Sequence, residues 1–275
     1  MDYIFSFLKS SVTVMIPLFF ASLGGLFPAL SGNLNIALEG MLLFSAFSSI
    51  VVYFFTNNII LAVFSAVFAA LILSILYLFS VFKLKANLFI SGLAVNLFSG
   101  GICIILSEKI FNTKGVFAVN IDQLNLNWFI LTAVILLLIS WITIYKTPFG
   151  YRLRACEKSS ESLKSLGINP QFYQLIAFII CGIFCGIGGA FLSLNLGAFV
   201  PGMSAGKGWI ALVIIFFGMK KPFGIAAAAF VFSFAEVLSN YAQILTIPAE
   251  ILLAFPYICT FFAIIIVSIL SKKTT

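Results

Sequence analysis

Residues 40–82 read GMLLFSAFSSIVVYFFTNNIILAVFSAVFAALILSILYLFSVF, which is 43 residues without a charged side chain. A membrane-spanning helix needs about 20 consecutive apolar residues, so this run is long enough for two crossings. The polar triplet Thr56-Asn57-Asn58 divides the run and indicates a turn between two helices. In the whole chain of 275 residues, 63% are apolar and only 8% are charged, against about 25% charged residues in soluble domains. The sequence therefore predicts an all-α membrane protein.

The charged residues divide the rest of the chain into further apolar runs. They predict a polytopic membrane helix bundle of about nine segments in a single transmembrane domain over residues 1–275. The segment 207–219 is short for a full crossing, and we expect it to begin inside the membrane, after a loop at 197–206. The approximate limits of the nine segments are 12–30, 36–55, 59–82, 87–107, 128–145, 172–195, 207–219, 223–245 and 250–271.

Lysine and arginine are distributed unevenly between the loops. If the segments alternate, the loops 83–85, 146–171 and 220–221 and the C-terminal tail share one side and carry 11 of the 15 basic residues. Short cytoplasmic loops are enriched in these residues, so this side is predicted to be cytoplasmic and the N-terminus to be outside. The net charge of +7 is explained by these loops as well. The basic residues are scattered along the chain between apolar runs, as expected for loops between membrane segments. We therefore expect no nucleic-acid partner.

Several kinds of chemistry have no support in this composition. The chain has no histidine, and no two of its five cysteines have the C-x-x-C spacing of metal and redox motifs. The polar residues inside the apolar segments also offer no pairing of a nucleophile with a base. We therefore predict no metal site, no cofactor and no catalytic residues.

Small residues recur at helical spacing in two segments. Gly182 and Gly186 form a G-x-x-x-G motif, and Ala62, Ala66 and Ala70 repeat every four residues. Such patterns allow membrane helices to approach closely. They predict either packing inside one bundle or an interface between subunits.

Four polar residues fall within or beside the predicted membrane segments. Asn35 and Glu39 are four residues apart in the stretch 31–40, which two glycines bracket. This pattern predicts a broken or re-entrant element that lines a cavity, with a short cytoplasmic loop as the alternative. Asn96 and Glu236 lie in the middle of predicted spans, where polar groups are costly. The four residues are candidates for a substrate pathway, and a structural anchor is the alternative role for Glu236.

The loop before the short segment ends in Gly206-Lys207-Gly208, which is similar to the end of a phosphate-binding loop. However, Pro201 stands where that motif begins with glycine, and Gly208 stands where it needs a serine or threonine for magnesium. We therefore expect no nucleotide to bind here.

The stretch 146–172 is the one long polar element predicted on the cytoplasmic side. Gly150 is expected to end one element, Ser159 or Ser160 to cap a short helix, and Gly167 to close that helix. Leu163 and Leu166 would give the helix an apolar edge. The pattern predicts a surface that docks on a soluble partner, and a plain basic loop is the alternative.

Five blocks of sequence resemble the permease subunits of bacterial ABC importers in the branched-chain amino acid and ribose class. The nearest match is the subgroup that imports nucleosides. Each block is weak alone, but the five occur in the expected order. They are SGNLNIALEGM at 31–41, ISGLAVN at 90–96, TPFG to RA at 147–155, LGI at 166–168, and AGKGWIAL to FG at 205–218.

The resemblance implies a non-catalytic subunit of the bacterial cytoplasmic membrane that is surrounded by lipid. Its implied partners are a cytoplasmic ABC ATPase subunit, a second permease subunit of the same or a related sequence, and an extracytoplasmic solute-binding lipoprotein. The cytoplasmic stretch would be the coupling helix that docks on the ATPase. That role falls here on Gly150, Arg152, Arg154, Glu157, Glu161, Leu163, Leu166 and Gly167.

The resemblance favours a nucleoside as the solute, and ribose, galactose or a branched-chain amino acid remain open. A different class of function is a secondary transporter that is coupled to protons through Glu39 or Glu236. A third class, an intramembrane enzyme, would need a catalytic pair that the sequence does not offer.

Overall fold

The computed structural model describes residues 2–121 and 124–242. Within these ranges the chain forms ten α-helices and two short strands, and nearly all of its regular structure is helical. Residues Phe79–Lys83 continue the third helix as a π-helical turn. The helices are α1 (Asp2–Leu30), α2 (Leu38–Thr56), α3 (Ile59–Leu78), α4 (Leu88–Phe111), α5 (Leu126–Lys146), α6 (Pro148–Lys158), α7 (Ser160–Ser165), α8 (Pro170–Leu196), α9 (Lys207–Phe217) and α10 (Pro222–Ala242).

Seven of the described helices are long and apolar enough to cross a membrane. These are α1, α2, α3 with its π-helical turn, α4, α5, α8 and α10, and each matches one of the predicted segments. Helix α9 has 11 residues and a length of about 16 Å, roughly half the thickness of a bilayer core. The predicted segment 250–271 lies outside the described residues. The count of nine segments therefore stays a prediction.

The two ends of the bundle differ in what they contain. At one end, strand β1 (Phe117–Ala118) pairs antiparallel with strand β2 (Ala198–Phe199), and the ring of Phe54 contacts the ring of Phe117. We call this the strand end. At the other end, which we call the basic end, the side chains of Glu157 and Lys220 form an ion pair. This arrangement agrees with the predicted alternation of segments, and the assignment of the basic end to the cytoplasm stays a prediction.

Helix α1 begins at the strand end of the bundle. The ring of Phe7 lies 5.0 Å from the ring of Phe234 and 5.4 Å from that of Tyr241, near the end of α10. Helix α10 starts just after Lys221 at the basic end, so its last turns reach the strand end. The N-terminus thus lies at the end opposite to the basic loops, as the distribution of charge predicts.

The two small-residue patterns face each other inside the bundle. Ala62, Ala66 and Ala70 on α3 are fully buried. On α8, a Cβ at Gly182 would lie 3.3 Å from the carbonyl oxygen of Ala70, and a Cβ at Gly186 would clash with the backbone of α3. The motif therefore packs two helices of one bundle, and the alternative of a subunit interface is wrong for these residues.

Candidate translocation site and coupling surface

A break in helical structure separates α1 from α2. Helix α1 ends at Leu30, α2 begins at Leu38, and residues 31–37 between them are not helical. Gly32 has a φ of +86°, a conformation that only glycine adopts readily, so the chain can turn directly after α1. The predicted break is thus present, and its re-entrant depth in the membrane stays a prediction.

Asn35 holds this break against α8. Its side chain is fully buried, the Oδ1 atom accepts a hydrogen bond from the Ala37 amide at 3.0 Å, and the Nδ2 atom donates to Cys181 Sγ at 3.2 Å. A buried amide group needs such partners, because an unsatisfied polar group is costly. The hydrogen bonds of Asn35 therefore go to the protein itself.

Asn96 ties α4 to the same break. Its Oδ1 atom accepts a hydrogen bond from the Gly40 amide at 2.8 Å, and its Nδ2 atom donates to the Ile36 carbonyl at 2.9 Å. The Gly40 amide is one of the first-turn amides of α2, which have no partner inside the helix. A side chain from α4 thus caps the start of α2 across a large separation in sequence.

Glu39 caps the start of α9. One carboxylate oxygen accepts from the Gly206 amide at 2.9 Å and the other from the Gly208 amide at 2.7 Å. A carboxylate is favourable there because the free amides and the helix dipole present positive charge. A Cβ at Gly208 would lie 2.5 Å from the Glu39 Cα atom, so only glycine allows this approach. The Gly206-Lys207-Gly208 stretch thus binds the Glu39 carboxylate through its backbone amides.

Lys207 and Glu236 join α9 to α10. The Lys207 Nζ atom lies 2.8 Å from the Glu236 Oε1 atom, and the two side chains are 13% and 22% exposed. The Glu236 Oε2 atom is buried and has no hydrogen-bond partner within the described residues. The sequence pattern identifies Glu236 as a pathway candidate, but Lys207 is not among the predicted candidates. Its place at the start of a segment too short to cross was the signal.

Three of the four predicted pathway residues therefore meet where α2 begins, and Glu236 joins them through Lys207. Helices α2 and α9 start next to each other, and they run toward opposite ends of the bundle. Interrupted helices of this kind form the binding sites of many transporters, where helix N-termini and charged groups face the solute.

At the basic end, α6 and α7 follow each other with only Ser159 between them, and we call this segment the hairpin. Thr147 caps α6 by accepting a hydrogen bond from the Gly150 amide at 3.3 Å. The prediction that Gly150 ends an element is wrong, because α6 begins at Pro148 and continues through it. Gly150 instead allows close packing on the last turn of α5, where a Cβ would clash with the carbonyl oxygen of Ile144.

The hairpin presents only part of its predicted apolar edge. Leu163 is buried in the core, whereas Leu166 is 74% exposed. Helix α7 ends before Gly167, whose φ of +75° closes it as predicted. Glu161 is exposed on the same short helix. The predicted edge of two leucines is therefore wrong at Leu163, since that side chain anchors the hairpin.

Two arginines of α6 are held by aromatic rings. Arg152 donates a hydrogen bond to the Tyr173 hydroxyl at 2.8 Å. The Arg154 guanidinium lies 5.0 Å from the centre of the Tyr145 ring, a cation–π distance. Burial raises the pKa of the Cys156 thiol above its ordinary value, so this side chain stays a neutral packing group. These contacts fix α6 against α5 and α8.

The end of α6 contacts two other elements. The Glu157 carboxylate pairs with Lys220 Nζ at 2.5 Å, in the turn between α9 and α10. A Cβ at Gly32 would lie 3.2 Å from Glu157 Cα, so the break after α1 packs on the same residue. The hairpin therefore contacts the break after α1 and the turn that follows α9. The far ends of the break and of α9 lie together at Glu39.

The fold and the site together define a class of protein, a multi-pass membrane transport component. Residues 7–267 match the family described as branched-chain amino acid transport system / permease component, and the chain belongs to this family. It is 29% identical to the guanosine ABC transporter permease protein NupQ of Bacillus subtilis, over 90% of this chain and 87% of that protein. It is also 29% identical to the nucleoside ABC transporter permease protein NupC of Lactococcus lactis, over 89% and 86%.

A solved structure shares the fold. PsaBC from Streptococcus pneumoniae, determined in complex with a Fab, aligns with a TM-score of 0.59 over 94% of this chain and 90% of that chain. The sequence identity is 12%, so the likeness concerns the fold alone.

Proposed function

We propose that the chain forms a single transmembrane domain, the permease subunit of an ATP-driven importer that carries a nucleoside across the bacterial cytoplasmic membrane. The observation that carries this proposal is the similarity, over about nine-tenths of the chain, to permeases named for guanosine and nucleosides. The interrupted helices α2 and α9 support a transport site in the same chain. ATP hydrolysis belongs to a separate ATPase subunit, and a lipoprotein delivers the solute.

The pathway runs past the starts of α2 and α9. Helix α9 reaches from the basic end to about half the depth of a bilayer, so Lys207 lies near the midplane. The loop before it is irregular, and Gly202 and Ala205 in this loop are exposed. Irregular backbone and charged groups do not face lipid at this depth. This surface therefore faces a water-filled pathway, which a second permease subunit completes.

The four predicted pathway residues divide into two roles. Asn35 and Asn96 position the break between α1 and α2, and Glu39 holds the start of α9. All three use their hydrogen bonds on the protein backbone or on neighbouring side chains. Of the four, only Glu236 has an oxygen that bonds no donor among the described residues, so it is the residue that serves the solute.

The hairpin of α6 and α7 docks on the ATPase. Its exposed groups Arg152, Glu161 and Leu166 make the contact, and Gly150 and Leu163 position the hairpin from within. The ion pair of Glu157 with Lys220 joins the hairpin to the basic end of α9. Glu39 binds the amides at the start of α9. A movement of the hairpin at the basic end is therefore transmitted through this one short helix to the pathway.

The test is uptake by the reconstituted complex with its ATPase and lipoprotein in vesicles. ATP should drive guanosine uptake, and unlabelled ribose, galactose or leucine should not compete. Leu166→Asp should lower co-purification of the ATPase about tenfold or more, because a charge replaces the exposed apolar contact. Val116→Asp is the matched control, an exposed apolar side chain at the strand end, and should have no effect. Uptake driven by a proton gradient without ATP would instead identify a secondary transporter.

A further inference from the structure

The ion pair between α9 and α10 has hydrogen-bonding capacity that none of the described residues uses. The Lys207 ammonium has three N–H donors and bonds one acceptor, Glu236 Oε1, in the part of the chain that the structure describes. The Glu236 Oε2 atom is buried and bonds no described donor. The pair therefore offers one free carboxylate oxygen and further N–H donors at one place.

The start of α9 has a second anchor besides this pair. The Glu39 carboxylate already bonds two amides at the start of α9, at 2.9 and 2.7 Å. A purely structural ion pair in a half-buried place would be expected to satisfy both carboxylate oxygens, because each unsatisfied buried polar atom is destabilising. The free oxygen of Glu236 thus points to a role beyond holding two helices together.

The chemistry of the pair suits a neutral polar solute. A lysine next to a glutamate has no net charge, so it neither attracts nor repels a neutral molecule over distance. A carboxylate oxygen accepts hydrogen bonds from ribose hydroxyls, as acidic residues do in dinucleotide-binding proteins. The ammonium group can donate to a hydroxyl or carbonyl oxygen of the same molecule.

We propose that Lys207 and Glu236 form the polar contact for the ribose of the transported nucleoside, with the Glu236 carboxylate accepting from a ribose hydroxyl and Lys207 donating to an oxygen of the solute. This inference rests on the proposed function, and it adds a binding residue, Lys207, and the part of the solute that the pair contacts. The contact forms when the pathway opens far enough to admit the solute to the buried oxygen.

The experiment compares guanosine with 2′-deoxyguanosine in the reconstituted complex, at concentrations that saturate the lipoprotein for each. The wild-type complex should transport guanosine faster. Glu236→Gln should lower this preference about tenfold, because it replaces a charge-assisted hydrogen bond by a neutral one. Glu108→Gln, which alters an exposed pair with Lys114 at 3.2 Å, should leave the preference unchanged.

The outcomes separate the two proposals. If Glu236→Gln slows both solutes equally, the pair is structural and the inference is overturned. A wild-type complex that does not distinguish the two solutes also overturns the ribose contact. If Glu236→Gln does not assemble, Lys207→Arg replaces it. A guanidinium can bond both carboxylate oxygens of Glu236 and leave none for the ribose, so an unchanged preference in that variant overturns the inference. A wild-type complex that transports no nucleoside fails the proposed function itself.

Discussion

The two ends of α9 are both held by a lysine–glutamate pair, yet the surroundings of the pairs differ. Lys207 and Glu236 meet at 2.8 Å and are 13% and 22% exposed, whereas Lys220 and Glu157 meet at 2.5 Å and are 29% and 36% exposed. Charges withdrawn from water depend strongly on their partner, while exposed pairs contribute little to stability. The same kind of ion pair therefore fixes one end of the helix where it is withdrawn from water. At the other end, where it is more exposed, it can break and form again more easily.

The backbone packs closely at both ends of α9. At the end near Glu39, the chain approaches α2 so closely that only glycine fits at position 208. At the basic end, Met219 and Lys220 have φ values of 54° and 52°, and the amides of this turn bond back to carbonyls of α9. A Cβ at Gly218 would lie 2.5 Å from the Ile225 nitrogen, so only glycine fits there as well. The backbone therefore holds α9 at both ends, and the two ends differ in the exposure of their ion pairs. A helix held at both ends can transmit a movement of the α6–α7 hairpin.

The largest effect is expected from Gly208→Val, which disrupts the packing of the start of α9 against Glu39. The new side chain would overlap the backbone of Glu39, so we expect a loss of more than about 4 kcal/mol and little monodisperse protein. Size-exclusion chromatography and thermal unfolding in detergent measure this. Gly100→Val is the control, since a Cβ at Gly100 has no atom within 4 Å. Equal stability of the two variants would contradict the close approach.

Lys207→Met should have the next largest effect on stability. It leaves both Glu236 oxygens without a donor, and we expect a loss of about 2–4 kcal/mol in the free energy of unfolding. The double variant Lys207→Met/Glu236→Leu removes the unpaired charge and should recover most of this loss. Thermal unfolding of the three proteins checks the pattern, and a double variant less stable than the single one would refute it.

Lys220→Glu should change coupling more than stability. It places two carboxylates together in a half-exposed position, so we expect a loss of about 1 kcal/mol or less. The number of nucleosides transported per ATP hydrolysed should fall several-fold. The reciprocal swap Glu157→Lys/Lys220→Glu restores the pair and should restore the ratio. A ratio that stays normal in the single variant would show that this contact does not transmit the movement.

The smallest effect is expected from Lys114→Ala at the strand end. Lys114 and Glu108 are 67% and 53% exposed, so their pair should contribute less than about 0.5 kcal/mol. Uptake and thermal unfolding should both match the wild type. A clear loss of uptake would show that the strand end takes a larger part in transport than we expect from its exposed ion pair.

Much of the fold could be predicted because its signals are local. The seven long helices follow from apolar runs, and the order of their ends follows from the charged loops. Gly32 and Gly40 mark the stretch 31–40, which contains the observed break at 31–37. The errors concern packing. The prediction for Gly150 fails because glycine, which commonly ends helices, here allows close packing inside one. The predicted docking edge fails at Leu163 because that apolar side chain packs into the core of its own subunit.

The sequence by itself determined that this chain is a bundle of membrane helices with an interruption near Glu39, because hydrophobicity, charge and glycine act over a few residues. Only the tertiary structure decided how the polar side chains are used. Glu39 and the Gly208 amide are 169 residues apart in sequence and 2.7 Å apart in space. Whether a buried polar group is satisfied depends on such distant partners. Only the packed helices show that Asn35, Asn96 and Glu39 are engaged internally, while Lys207 and Glu236 have hydrogen-bonding capacity that no described residue uses.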